Sequence, residues 1–404
     1  MNNSSATTPL PAPRCCAPTP PRKPILKTTG LKQRISTRLA FLAAGMAMSA
    51  WAPLVPYAQA RAGVEQGQLG LLLLCLGIGS LLAMPVTGAL AARFGCRRIV
   101  LASGLGCCAV FPFLAIAPGA ATLAVALFLF GATIGTLDVA MNIQAVIVEK
   151  DYGGSLMSGF HGLFSVGGIV GAGSMTLMLW AGMGIVPAAL AMAVAVALVL
   201  LGAGPHLLRE PIAAERDGPM LVMPHGSVIF IGALCGVVFL AEGAVLDWSA
   251  VFLTSAGGLS AGQGGLGYAA FACAMTIGRL NGDRIVQRWG GRRVLLLGGL
   301  GAAAGFFAVV LASSPWLALL GFVLIGFGAS NIVPVLFTAA GNQKDMPASM
   351  AISAITTIGY AGILAGPALI GLIAHASSLH LAFTGLACGM LLIAASTPLH
   401  KPVE

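Results

Sequence analysis

Charge is what this chain has least of. Only 8% of its 404 residues are Asp, Glu, Lys or Arg, whereas 58% are apolar and the mean hydropathy is +0.94. A water-soluble domain carries roughly 25% charged residues to cover its surface. That shortage excludes a soluble globular protein and leaves a membrane protein that crosses the bilayer several times. Trp and Tyr are also scarce, at 5 and 4, while Gly reaches 55. Small residues let membrane helices approach closely, where packing replaces the hydrophobic drive. The long apolar runs lack the alternation of barrel strands, so the expected class is an all-α membrane protein.

Two chemistries have no sequence basis. The nine cysteines lie mostly inside apolar runs, at Cys75, Cys107, Cys108, Cys235 and Cys273 among others. Their spacing suggests neither a metal site nor a disulfide frame. No glycine-rich stretch leads into Gly-Lys-Ser/Thr, which removes a phosphate-binding loop and an ATP-driven pump within this chain. No paired catalytic motif appears, so no enzyme, metal or cofactor is expected. A proton gradient is the expected energy source.

What is present is a succession of apolar spans. They run at about 36–58, 68–91, 98–117, 121–147, 156–180, 183–204, 228–254, 264–286, 293–312, 316–340, 349–374 and 380–397. Each is near the ~20 residues that cross a bilayer, which makes twelve transmembrane helices. The stretch from Lys32 to Ala60 mimics a secretory signal, but its apolar part is too long and holds Pro53 and Pro56. Residues 1–33, rich in Pro, Ser, Thr and basic side chains, are expected to be a disordered cytoplasmic tail.

Basic residues fix the expected direction. With the N-terminus inside, the cytoplasmic segments hold Arg34, Arg38, Arg93, Arg97, Arg98, Lys150, Arg209, Arg216, Arg284, Arg288, Arg292, Arg293, Lys344 and Lys401, and the external ones only Arg61. Such asymmetry places both termini in the cytoplasm. The net charge of +9 thus reflects topology and gives no reason to expect a nucleic-acid partner. The lipid bilayer and a small-molecule substrate are the expected partners of a monomer.

The chain also repeats itself. RFGCRR at 93–98 returns as RWGGRR at 288–293, GIVGAG at 168–173 as ILAGPA at 363–368, and EQGQLGL at 65–71 as GQGGLGY at 262–268. Two six-helix halves follow, 34–204 and 228–400, joined by a cytoplasmic linker at 205–227. Parallel, pseudo-symmetric halves of this kind are a known transporter arrangement.

Within these spans stand a few acids that the bilayer penalises by about 2.5–3.5 kcal/mol each at a helix centre. Asp138 shares a helical stripe with Gly131, Gly135 and Asn142. That stripe should face a partner helix or a water-filled cavity. Glu242 raises the same question in the seventh span. No Lys or Arg is expected deep enough to neutralise either one. An unpaired buried carboxylate meets its cost by binding a proton, so proton coupling and a structural role both fit Asp138 and Glu242. Asp247, nearer the outer end, suits capping or an outer gate. His161, with Ser165 one turn on, lines a cavity or satisfies a helix contact. Trp51 stacks on a solute or anchors at an interface, and Trp248 reads as an anchor. Asn331 bonds a solute or glues helices. The glycine clusters Gly167, Gly168, Gly171 and Gly362, Gly366 are expected to pack between the halves.

These features resemble the major facilitator superfamily over about residues 34–400. Its loop between spans two and three reads G-x-L-x-D-R-x-G-R-R/K. GALAARFGCRR at 88–98 matches it at Gly88, Arg93, Gly95, Arg97 and Arg98, with Ala92 where the acid is expected. GRLNGDRIVQRWGGRR at 278–293 carries Arg279, Asp283, Arg288, Gly290, Arg292 and Arg293. The resemblance implies that these residues form a cytoplasmic gate. Within the superfamily the chain looks like YbjJ-type bacterial inner-membrane transporters, related to fucose–proton symporters. The stretches that carry this are WAPLVP (51–56), LDVAMN (137–142), FHGLFSVGG (160–168), AEGAVLDWSAVFL (241–253) and GYAGILAGP (359–367). Fucose-type symporters carry an acid and a following Asn in span four, matched by Asp138 and Asn142, and an acid in span one that is absent here.

What the resemblance implies is a secondary active transporter of the bacterial inner membrane. It would work by alternating access, with spans one, four, seven and ten around the cavity. Proton-coupled movement of a small polar solute, a sugar being one option, is the favoured expectation. A strongly anionic solute is disfavoured because it would want Arg or Lys to meet it. A proton-driven efflux antiporter and a non-transporting sensor or scaffold are the rivals.

Overall fold

The computed structural model describes residues 30–212, 215, 219–255 and 263–397. Most of the expected tail, Arg216 of the linker and Lys401 therefore lie outside the described residues. Among these, the helices are α1 (Leu31–Ser49), α2 (Val55–Ala62), α3 (Gln66–Phe94), α4 (Cys96–Ile116), α5 (Ala120–Tyr152), α6 (Met157–Trp180), α7 (Ile185–Ala203), α8 (Ser227–Ser255), α9 (Leu266–Trp289), α10 (Gly291–Val310), α11 (Pro315–Ala329), α12 (Ile332–Asn342), α13 (Ala348–Ala376) and α14 (Leu379–Ser396). α1 thus starts inside the region expected to be tail.

Two expected spans are broken helices, and proline explains both. Between α1 and α2 the chain makes a 3-10 turn at Ala52–Leu54 containing Pro53, and Pro56 follows in the first turn of α2. Between α11 and α12, Pro334 has no N–H to give the carbonyl four residues back, that of Ser330, so the ladder fails there. Among the described residues, eleven helical stretches are long and apolar enough to cross a membrane, so the chain is a multi-pass membrane protein. α9 falls outside that set because Arg279, Asp283, Arg284 and Arg288 all lie on it.

Helix pairing repeats along the chain. α1 packs on α6 as α8 packs on α13; α3 packs on α5 as α9 packs on α11; α4 packs on α7 as α10 packs on α14. Two seams, α3 with α13 and α6 with α9, join the halves. The repeated glycines Gly95 and Gly290 have one backbone geometry, φ +82° and +77°, where the chain turns from α3 into α4 and from α9 into α10. A side chain is strained at such angles, which accounts for glycine at both positions.

Glycine also sets helix spacing. A Cβ on Gly131 of α5 would lie 1.9 Å from the Leu76 carbonyl oxygen of α3, so the expected stripe meets a partner helix at its glycine end. The other clusters correct an expectation. Gly171 would meet Met46 O of α1 at 2.3 Å, and Gly362 would meet Gly236 O of α8 at 2.3 Å. They bring helices together inside each half, α1 with α6 and α8 with α13, rather than between halves.

The two ends of the bundle differ in charge. The end where α1 begins, called here the basic end, carries the paired arginines. At the opposite end Arg61 donates to the carbonyls of Ala115 and, at 3.2 Å, Ala117, closing the C-terminus of α4 with a cation. Gly131→Ala should destabilise the protein by about 1–3 kcal/mol, the range of overpacking, seen as a lower melting temperature of purified protein. Gly173→Ala, with nothing within 4 Å, should leave the melting temperature within a degree or so of the wild type.

Candidate functional site

Asp138 stands in the middle of α5, half-buried, among residues that are nearly all buried. Asn142, one turn on, donates from Nδ2 to the Asp138 backbone carbonyl at 2.9 Å and to its Oδ1 at 3.4 Å. Among the described residues, no Lys or Arg forms an ion pair with Asp138. Tyr360 of α13, across the seam, lies within its electrostatic reach. Asp138 is thus a carboxyl with an amide neighbour and no cation.

Glu242 is different, and here the structure corrects the sequence reading. Arg279 Nη2 lies 3.2 Å from Glu242 Oε1, with side-chain exposures of only 9% and 17%. The expectation that no cation sits deep in the bundle fails because α9, which carries Arg279, Asp283, Arg284 and Arg288, turns Arg279 inward. The same guanidinium donates from Nε to Ser330 O at 3.3 Å and from Nη1 to Ser165 Oγ at 3.1 Å. Ser330 O is the carbonyl that Pro334 leaves without a helical donor. Arg279 therefore ties α9 to α8, to the break between α11 and α12, and to α6 in the other half. Its guanidinium is engaged by Glu242, Ser330 and Ser165, and no bond to Asp283, its expected neighbour in the gate, is among these. The argument against an anionic solute also loses its premise, since a guanidinium is present, although Glu242 already neutralises it.

His161 sits one turn below Ser165 on α6. Its Nδ1–H donates to Met157 O at 3.1 Å. Its ring lies 5.3 Å from Phe41 of α1 and 5.6 Å from Phe337 of α12. This aromatic cluster crosses the halves between Arg279 and the basic end.

The remaining expected residues scatter. Asn331 Nδ2 donates to Gly278 O at 3.1 Å and to Ser330 Oγ at 3.0 Å, and its Oδ1 lies against Gly282. Those contacts glue helices. Trp51 is buried at the break after α1, with its indole N–H lacking a protein partner. Trp248 packs against Gly371, and Asp247 is exposed.

The sequence profile of the Major Facilitator Superfamily matches residues 39–348 and 253–402. The chain belongs to the major facilitator superfamily. An uncharacterized MFS-type transporter of Yersinia pestis is 57% identical over 91% of this chain and 95% of its own length. An uncharacterized transporter of Sinorhizobium fredii is 34% identical over 89% and 96%. The E. coli fucose:proton symporter FucP superposes with a TM-score of 0.76 at 15% identity, covering 92% of this chain and 98% of that one. At that identity the likeness is one of fold. Membership makes this chain a membrane transporter and not an enzyme.

At the basic end, where a gate is expected, two carboxylates accept from the first turn of α6. Asp283 Oδ1 accepts from Gly159 N of α6 at 2.9 Å, across the α6–α9 seam. Glu149, which the sequence reading missed, accepts from Leu156 N and Met157 N at 2.7 Å each and from Thr338 Oγ1 at 2.5 Å. Lys150 donates across the halves to Gly341 O. The unpaired N–H groups of a helix start favour such anions. Glu149 was readable as an acid in the last turn of α5, just before the glycine turn that leads into α6. A cavity of about 410 Å³ lies beside Glu149, Ser158, Arg292 and Thr338. Gly88 packs on Ser349 O and Arg97 N donates to Leu208 O at 2.9 Å. Arg93 is half-buried, and Arg98, Arg288, Arg292 and Arg293 are exposed at the same end.

Leaving one member of a buried pair alone is expected to cost about 3–5 kcal/mol. Arg279→Met should therefore lower the melting temperature of purified protein sharply. Adding Glu242→Leu to that variant should return part of the loss.

Proposed function

We propose that this transporter couples solute movement to protons, with Asp138 as the proton-carrying group. The observation that carries the reading is the contrast between its two mid-depth acids. Glu242 has Arg279, while Asp138 has an amide and no cation. In a medium of low dielectric, a carboxylate without a cation is expensive, and binding a proton removes the charge. Asp138 takes up a proton when its side of the pathway is wet and releases it on the other side.

The same contrast favours a neutral polar solute. Arg279 is balanced by Glu242 and engaged by Ser330 and Ser165, so little positive charge is left to attract an anion. The buried Trp51 Nε1–H and Asn142 Oδ1, without protein partners, supply a donor and an acceptor of the kind hydroxyl groups match. Likeness to a fucose:proton symporter fits a sugar-sized ligand. The cluster of Phe41, His161 and Phe337 closes the path towards the basic end. The basic end faces the cytoplasm of a bacterial inner membrane, with both chain ends on that side, as the excess of Arg and Lys requires. The protein works as a monomer of two halves that rock about the seams.

Proteoliposome transport under an imposed pH gradient tests this. Asp138→Asn should lose uphill accumulation while keeping solute exchange or binding. Retained uphill uptake in that variant would end the proposal.

A further inference from the structure

The two seams between the halves are related by the internal repeat, yet they are closed by different parts of the chain. Gly88 stands five residues before Arg93, and Asp283 stands five before Arg288. Likewise Met84 and Arg279 each stand nine residues before those arginines. The contacts run in the same order along each seam. Arg279 bonds Ser165 of α6 while Met84 O accepts from Ser353 Oγ of α13 at 2.5 Å. Asp283 bonds the start of α6, while Gly88 packs on Ser349 at the start of α13.

At the α6–α9 seam a carboxylate from the opposite half thus holds a helix N-terminus. At the α3–α13 seam the equivalent position is glycine, and Ala92, one turn on, is no acid either. The start of α13 is nevertheless held by a carboxylate. Glu215 Oε1 accepts from Ala348 N at 2.9 Å, and its Oε2 accepts from Ser349 N at 3.3 Å and from the Ser349 hydroxyl. Glu215 belongs to neither half: it lies on the linker between α7 and α8. Its own N–H donates to Ile212 O at 2.8 Å, and Ile212 N donates to Ala92 O at 3.0 Å. The linker is thereby bonded to α3 at Ala92 and presents its carboxylate to α13. Leu208 N adds a bond to Gln144 of α5 at 3.1 Å.

We infer that Glu215 is the gate carboxylate of the α3–α13 seam, supplied from the linker in place of the acid that α3 lacks. The linker then does more than connect the halves. It closes one of their two seams by bridging Ala92 to the first turn of α13, and it must release that turn when the basic end opens. Glu215 acts through α13 and is a positioning residue of the transport cycle. The inference stands apart from proton coupling, since Asp138 takes no part in it.

Hydrogen exchange of the full-length protein in lipid nanodiscs tests it. In Glu215→Ala, amides at 348–353 and at 84–92 should exchange faster together, by roughly fivefold, the change a typical lost cap represents. Amides at 157–162 on the other seam should not change, and Asp283→Ala should show the reverse pattern. Glu215→Gln, which keeps size and loses charge, should fall between Glu215→Ala and the wild type, and gives the same reading should the alanine variant fold poorly. Faster exchange confined to the first turn of α13, with 84–92 unaffected in both Glu215 variants, would overturn the assignment and leave Glu215 a local cap.

Discussion

A bundle filled with apolar side chains offers little to solvate a charge, and this constraint organises the polar residues of the protein. Each buried ionic group has to find an opposite charge, a set of N–H donors or a proton. Glu242 has found Arg279. Glu149 and Asp283 have found helix N-termini, and Arg61 has found a helix C-terminus. Asp345, outside the spans, is held below the usual carboxylate range by its bonds from Ser227 at the start of α8. Asp138 is left with Asn142 alone. That exception makes it the residue around which the proposed function turns.

Arg279 carries this electrostatic order across the two halves. One guanidinium joins the acid of α8, the carbonyl exposed by Pro334 and a hydroxyl of the opposite half. The seams lie on the basic side of this point, where Glu149, Asp283 and the linker hold helix starts. In the proposed cycle, opening the basic end breaks those caps.

Much of the fold was legible because it follows from bulk hydrophobicity. The twelve spans fall within a few residues of their helices, whereas the breaks at Pro53, Pro56 and Pro334 were expected as continuous spans. The side of the helix a charge takes was not legible. Arg279 sits mid-helix on α9, and its partners Glu242, Ser330 and Ser165 come from three other segments that its own stretch does not name. The glycine pairs were read correctly as close contacts and assigned to the wrong partners, since spacing along one helix does not name its neighbour. Glu149 and Glu215 were missed for a related reason. A capping acid is recognised by the helix start it reaches, and that start can lie in the other half of the molecule.

Infrared difference spectroscopy on purified protein reads the central idea most directly, because a carboxylic acid and a carboxylate absorb at separate frequencies. The account predicts that a band from a buried protonated carboxyl is present at neutral pH, survives Glu242→Gln and vanishes in Asp138→Asn. A spectrum with no such band, or one in which the band outlasts Asp138→Asn, would contradict it.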